Sequence, residues 1–480
     1  MPIDPGLQRL ALGTILAAFV GKNAPEWLLA LLADGLAGVT LFGTNIENPK
    51  QTADLTTRLR SVRRDTLIAT DEEGGDVTRL AHRTGSPYPG NAALGVVDDV
   101  LSTRMAYASI GSELAACGIT LNFAPVADVN TTDDNPVIGT RSFGSDPALV
   151  ARHTAAAVAG LQSAGVLACT KHFPGHGATR TDSHLGLPVV DVPIPVLRER
   201  DLPPFAAAIA AGTAAIMTAH LRIPALTGAG PATFSRAVLQ DLLRHEYAFS
   251  GAIITDALEM RGAAEVAGGP GPAAVLALAA GADLLCLGAH VTPALVDTVV
   301  TDIVTAVADG RLPRTRLEDA AARTAALTPA AGAPAADAPI AGIGWEVARR
   351  ALRVEGSAEG FGNALVVKLH TGPTIVEGRV PWGLGVPALS IAAASTSPDE
   401  LIGRAGSRPI VIIGRRLHRT EESRYLIESL TRRHTGAVVE MGWPSDWRPT
   451  SARAFLTTYG AGEVNGRAAA AALGLLHPRD

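Results

Sequence analysis

Residues 166–188 read VLACTKHFPGHGATRTDSHLGLP. The first five form an apolar run of strand length. The chain then turns abruptly to Lys171, His172, His176, Asp182 and His184, set among glycines and prolines. A strand buried on both faces reads as such an unbroken apolar run, and a polar break at its end marks a loop with chemistry in it. The same unit recurs outward in both directions. The runs GVTLF (38–42), TLIAT (66–70), TLNFA (120–124), AAIMT (214–218), GAIIT (251–255) and ADLLCL (282–287) alternate with Ala/Leu-rich helical stretches. With one more element in the apolar segment 10–21, the strands number eight. The pattern predicts a (β/α)8 TIM-type barrel. An open doubly wound sheet is the competitor. It is weakened because the first strand–helix turn lacks the GxGxxG phosphate fingerprint.

The composition changes at residues 328–343, TPAAGAPAADAPIAGI, which reads as a linker. Beyond it, 363–369, 409–414 and 436–441 look like strands and 419–434 like a helix. The expected organisation is a catalytic barrel at 1–327, the linker at 328–343 and a small α/β C-terminal domain at 344–480. The linker suggests a cut near residue 330 that few contacts cross, and a second domain dispensable for chemistry.

The 480 residues are 47% hydrophobic and 18% charged, with a net charge of −5. That supplies a large core and leaves no basic excess for nucleic acid. Cys117, Cys169 and Cys286 are far apart in apolar surroundings and read as buried thiols of a reducing compartment. The apolar run 10–21 is too short to cross a bilayer and lacks a signal-peptide pattern. The expectations are a cytoplasmic protein with no membrane or nucleic-acid partner, as a monomer or homodimer. Its partner would be a small molecule.

The polar outliers fall at strand ends, where barrels keep their catalytic groups. After TLIAT come Asp71, Glu72 and Glu73; after TLNFA, Asp128; after VLACT, Lys171 and His172; after AAIMT, His220; after GAIIT, Asp256. Lys171 is also one of very few lysines among many arginines. A metal held by His172, His176 and His184 is disfavoured, because Pro174, Gly175 and Gly177 prevent the helix that would align the first two. Asp182-Ser183-His184 reads instead as a carboxylate fixing an imidazole tautomer for acid/base work.

Seven ordered segments carry a family resemblance: LAGVTLFGTNI, ATDEEGGDVTRL, LNFAPVADVN, NPVIGTRSFGSDP, KHFPGHGATRTDSHLGLP, IMTAHLRIPAL and IITDALEM. The region 5–325 resembles glycoside hydrolase family 3, in its β-N-acetylglucosaminidase (β-hexosaminidase) branch. The resemblance implies Asp256 as nucleophile, His184 as general acid/base and Asp182 as its partner. It implies that Asp71, Arg79, Arg141, Lys171 and His172 bind the terminal sugar, with neither metal nor organic cofactor. Ala178 stands where the branch usually has Asp or Asn, which implies altered loop anchoring. The activity implied is retaining exo-β-N-acetylglucosaminidase on muropeptide or chitin-type fragments. A carboxylate below the anomeric carbon and a proton donor above it are what that chemistry needs. A neutral imidazole repels an incoming anion less than a carboxylate does, so a β-N-acetylglucosaminide phosphorylase is the first alternative. A non-catalytic sugar-binding barrel is the second, and a β-glucosidase, disfavoured by the DSH segment, the third.

Overall fold

The computed structural model describes residues 4–328, 338–370 and 375–476. Residues 329–337, most of the expected linker, lie outside the described residues. The chain divides into two compact units. One comprises Met1–Glu72, Thr103–Ile138 and Ser145–Ile340; the other Glu73–Ser102, Gly139–Gly144 and Ala341–Asp480.

In the first unit every apolar run forms a strand. These are β1 (Ile15–Ala17), β2 (Gly38–Leu41), β3 (Leu67–Thr70), β4 (Leu121–Asn122), β5 (Leu167–Phe173), β6 (Ala215–Thr218), β7 (Ala252–Thr255) and β8 (Leu285–Cys286). All neighbours are parallel, in the order β7-β6-β5-β4-β3-β2-β1-β8. A parallel bridge between Ile254 and Leu284 joins the two ends. The sheet is therefore a (β/α)8 barrel. Side chains that point inward fill it: Leu16, Leu67, Leu121, Phe123, Met217 and Ile254 form one buried cluster. The three thiols are free and buried, as their apolar contexts suggested. Burial pushes the Cys117 thiol up to about 11 and raises Cys169 and Cys286 further, so none is a ready nucleophile.

The second unit holds a six-stranded sheet of β9 (Arg353–Gly356), β10 (Leu365–Leu369), β11 (Leu389–Ile391), β12 (Ile410–Gly414), β13 (Gly436–Glu440) and β14 (Ala454–Thr457). Its order is β11-β10-β12-β13-β14-β9, with only β9 antiparallel to its neighbour. Alternate residues feed two clusters, Val411, Ile413 and Val439 on one face and Ile410, Ile412 and Val438 on the other. Both faces are thus covered, as continuous apolar strands require. The expectation that few contacts cross a cut near residue 330 does not hold. Segments 73–102 and 139–144 group with 341–480: Ala461 N–H donates to Asp76 Oδ1 at 2.7 Å, and Glu463 N–H to the Ser86 carbonyl at 3.1 Å. A chain ending at 330 would leave these groups without their partners.

The amino-terminal end of the barrel is tied by Asp283, which has no exposed surface. It accepts the Ile253 amide at 2.8 Å and Arg316 Nη2 at 2.5 Å, and it also pairs with Arg244. Removing one partner of a buried ion pair strands the others, at about 3–5 kcal/mol. Asp283→Ala should lower unfolding free energy by about that amount in denaturant titrations. The folded fraction should keep its site chemistry, since Asp283 lies at the strand starts, opposite the active ends.

Candidate active site

Six of the eight residues named from the sequence belong to the first unit and gather at the carboxyl ends of its strands. Arg79 and Arg141 belong to the second unit, where Arg141 forms a bidentate pair with Glu73 at 2.8–2.9 Å and Arg79 Nη2 donates to the Val376 carbonyl at 3.0 Å.

Asp71 follows β3 directly. Its Oδ1 accepts Lys171 Nζ at 2.7 Å, and the Lys171 side chain is only 2% exposed. Next to it, Asn122 exchanges two hydrogen bonds with the Glu72 backbone, at 2.8 and 2.9 Å, and so locks the end of β3 onto β4. Lys171 and His172 are the fifth and sixth residues of β5, joined by a cis peptide bond. His172 Nδ1 donates to Asp128 Oδ2 at 2.7 Å. Asp128 Oδ1 also accepts the His176 amide at 2.6 Å. Burial drives the Asp128 carboxyl upward, but His172, His176 and these hydrogen bonds outweigh it and hold it below the ordinary range.

The loop after β5 packs tightly on the segment after β4. A Cβ on Gly177 would sit 1.9 Å from the Val129 carbonyl oxygen, so only glycine fits there. Asn135 Nδ2 donates to the carbonyls of His176 and Gly177, both at 3.1 Å. His176 itself turns inward: Nδ1 meets Thr179 Oγ1 at 2.7 Å and Nε2 meets Ser183 Oγ at 3.2 Å. Its ring is committed to the loop, not to a ligand. Farther along, His184 Nδ1 donates to Asp182 Oδ1 at 2.7 Å, and the His184 amide donates to the same oxygen at 2.9 Å. Burial raises the Asp182 carboxyl, yet the His184 hydrogen bonds bring it below its ordinary value.

Asp256 follows β7. Oδ1 accepts the next amide, Ala257 N–H, at 2.8 Å. Among the described residues no donor reaches Oδ2. Burial pushes this carboxyl up, and the charges of His220, His172 and His184 pull it below the ordinary range, so it is an anion at neutral pH. His220, buried after β6, donates or accepts between Thr233 Oγ1 at 2.8 Å and the Ala257 carbonyl at 3.0 Å. Burial lowers its pKa. Asp128 and His220 stood at strand ends in the sequence, but only their distant partners reveal their role. Nothing in the sequence pointed to Asn122 or Thr179.

The arrangement is an ionised carboxylate with one open oxygen, an Asp–His pair on a glycine-bounded loop, and a Lys/Asp/His lining. The chain matches the "Glycosyl hydrolase family 3 N terminal domain" model over residues 15–327. The chain belongs to glycoside hydrolase family 3. It is 40% identical over 272 residues to a "Beta-hexosaminidase" of Stenotrophomonas maltophilia strain K279a, covering 55% of this chain and 78% of that one. It is 40% identical over 249 residues to "Beta-hexosaminidase A" of Pseudoalteromonas piscicida, covering 47% of this chain and 42% of that one. The structure of a family 3 β-N-acetylglucosaminidase from Paenibacillus sp. str. FPU-7 superposes with a TM-score of 0.87 at 31% identity, covering 98% of this chain and 97% of that one. Within family 3 the chain falls in the β-hexosaminidase branch.

The three depressed aspartates set a pH dependence for this hydrolase. A carboxyl whose folded pKa lies below its unfolded value adds stability at pH above the unfolded value, and that stability is lost as pH falls through the folded one. Asp128, Asp182 and Asp256 therefore contribute fully above roughly pH 4 and less below it. Asp128→Asn should lower the melting temperature at pH 7 and flatten its fall in the acid range. An unchanged acid limb in thermal melts from pH 3 to 7 would contradict this account.

Proposed function

We propose that the protein is a retaining exo-β-N-acetylglucosaminidase that removes terminal β-linked GlcNAc from muropeptide or chitin-type fragments. The observation that carries the reading is the Asp182–His184 hydrogen bond of 2.7 Å on a loop whose charge is felt by Asp256. A binding protein needs neither a tautomer-fixed imidazole nor an anion with an open oxygen.

On this reading the Asp256 Oδ2 oxygen attacks the anomeric carbon. With Nδ1–H of His184 committed to Asp182, the opposite nitrogen, Nε2, delivers a proton to the departing glycosidic oxygen. The glycosyl-aspartyl ester forms as the C1–O bond breaks. Water then attacks C1, Nε2 takes its proton, and Asp256 leaves as the carboxylate. Asp71, Lys171 and His172 supply donors and acceptors for sugar hydroxyls, and the family resemblance adds Arg79 and Arg141. The relatives' names support hexosaminidase chemistry. The aglycone rests on the resemblance alone. Phosphorolysis uses the same residues with phosphate in place of water, and it is the alternative an assay has to exclude.

His184→Ala should slow aryl β-GlcNAc substrates with poor leaving groups by roughly 10²–10⁴-fold, while activated ones lose much less in the glycosylation step. Pre-steady-state and steady-state rates across a leaving-group series check this. Equal losses across the series would remove His184 from the acid role. Inorganic phosphate added to the wild type should leave free GlcNAc as the product; accumulation of sugar 1-phosphate would favour the phosphorylase.

A further inference from the structure

A chain of hydrogen bonds runs from the barrel framework to the proton donor, and its middle member has no part in the chemistry above. Asp128 is held by the framework, because the segment after β4 bridges β5 through Val126 and Lys171, with Ala127 N–H on the Lys171 carbonyl at 2.6 Å. Asp128 Oδ1 accepts the His176 amide at 2.6 Å. The His176 ring is 2% exposed and reaches Thr179 with one nitrogen and Ser183 with the other. Ser183 is the residue between Asp182 and His184.

We infer that His176 is a positioning residue for the acid/base pair: through Ser183 it sets where Asp182 and His184 stand relative to Asp256. The inference rests on the reading of His184 as the proton donor. The polarity of the chain can be followed atom by atom. The Thr179 hydroxyl donates to the His176 carbonyl at 3.0 Å, so its lone pair receives the His176 Nδ1–H. His176 Nε2 then carries no proton and accepts from the Ser183 hydroxyl. Ser183 is held a second time through its backbone: its carbonyl accepts the Gly262 amide at 3.2 Å. Gly262 lies in the helix Arg261–Ala267, which follows Asp256 in the chain. A Cβ there would press on the Ser183, Gly186 and His220 carbonyls at 3.1–3.2 Å. Ser183 is therefore clamped between the loop's internal imidazole and the segment that carries the nucleophile. Its two neighbours are the residues whose placement decides proton transfer. Thr179, the neighbour of Ala178, supplies the hydroxyl that meets the His176 ring.

A residue that merely filled space would affect all substrates alike. A positioning residue affects the step that needs the proton. The test compares Ser183→Ala, His176→Ala, His176→Gln and the double variant His176→Ala/Ser183→Ala with His184→Ala, using kcat/KM across aryl β-GlcNAc leaving groups. Ser183→Ala removes one hydroxyl and keeps the Gly262 contact, so it tests the inference even where His176→Ala fails to fold. Ser183→Ala and His176→Ala are expected to lose roughly tenfold on poor leaving groups and little on activated ones, a misplaced group being felt where its proton is needed. His176→Gln, whose Oε1 can still accept from Ser183, should recover most of the loss. The double variant should be no worse than the poorer single one, since both break one chain. Losses that are equal for good and poor leaving groups, or additive in the double variant, would overturn the inference. If His184→Ala itself discriminates between leaving groups while Ser183→Ala does not, only the inference falls. If His184→Ala does not discriminate, the acid/base reading falls and takes the inference with it.

Discussion

The Asp128 carboxylate has no surface open to water, so the protein itself has to meet its lone pairs with donors. It is met by the His172 ring, the His172 amide at 3.4 Å and the His176 amide. That single requirement places the end of β5 and the start of the following loop on the segment after β4. His172 is turned to face the site, and Lys171 is left to pair with Asp71, just after β3. The glycines in the loop are then steric consequences: the backbone is drawn so close to Val129 that position 177 has no room for a side chain. Leaving such a carboxylate short of donors costs more than any one of its hydrogen bonds contributes, so the arrangement is all or nothing.

The second constraint is that Asp256, partly buried at the end of β7, has to remain an anion. Burial opposes ionisation, and the surrounding imidazoles His220, His172 and His184 counter it. None of these is an arginine or lysine held against the carboxylate by a salt bridge. A fixed cation bonded to Oδ2 would keep the charge but block attack. Imidazoles set off from the carboxylate stabilise the charge through the field and leave the oxygen open.

Much of this was legible beforehand, for physical reasons. The barrel strands announce themselves because both faces are buried, which leaves uninterrupted apolar runs with polar ends. β1 was blurred, because the apolar segment that contains it begins as the helix Pro5–Leu12. In the second unit β10, β12 and β13 were read correctly, whereas β9 escaped: Arg353–Gly356 is exposed along its whole length and carries no apolar pattern. β11 is three residues long and only partly covered. The residues with chemistry were visible one at a time, but their pairing was not, since Asp128 meets partners 44 and 48 positions away. His176 was visible only as a candidate metal ligand, because sequence shows a ring and not what the ring faces. The assignment of Glu73–Ser102 to the second unit left no trace in composition.

The central claim is that Asp256 becomes covalently glycosylated. Mass spectrometry of the intact protein after reaction with a fluorinated GlcNAc fluoride that stalls the second step tests it most directly, followed by peptide mapping. The account predicts one added glycosyl unit, located on Asp256 in the peptide that spans β7 and Arg261, and no adduct in Asp256→Ala. An adduct on any other carboxylate, or an unmodified protein that has nevertheless turned over the reagent, would contradict it.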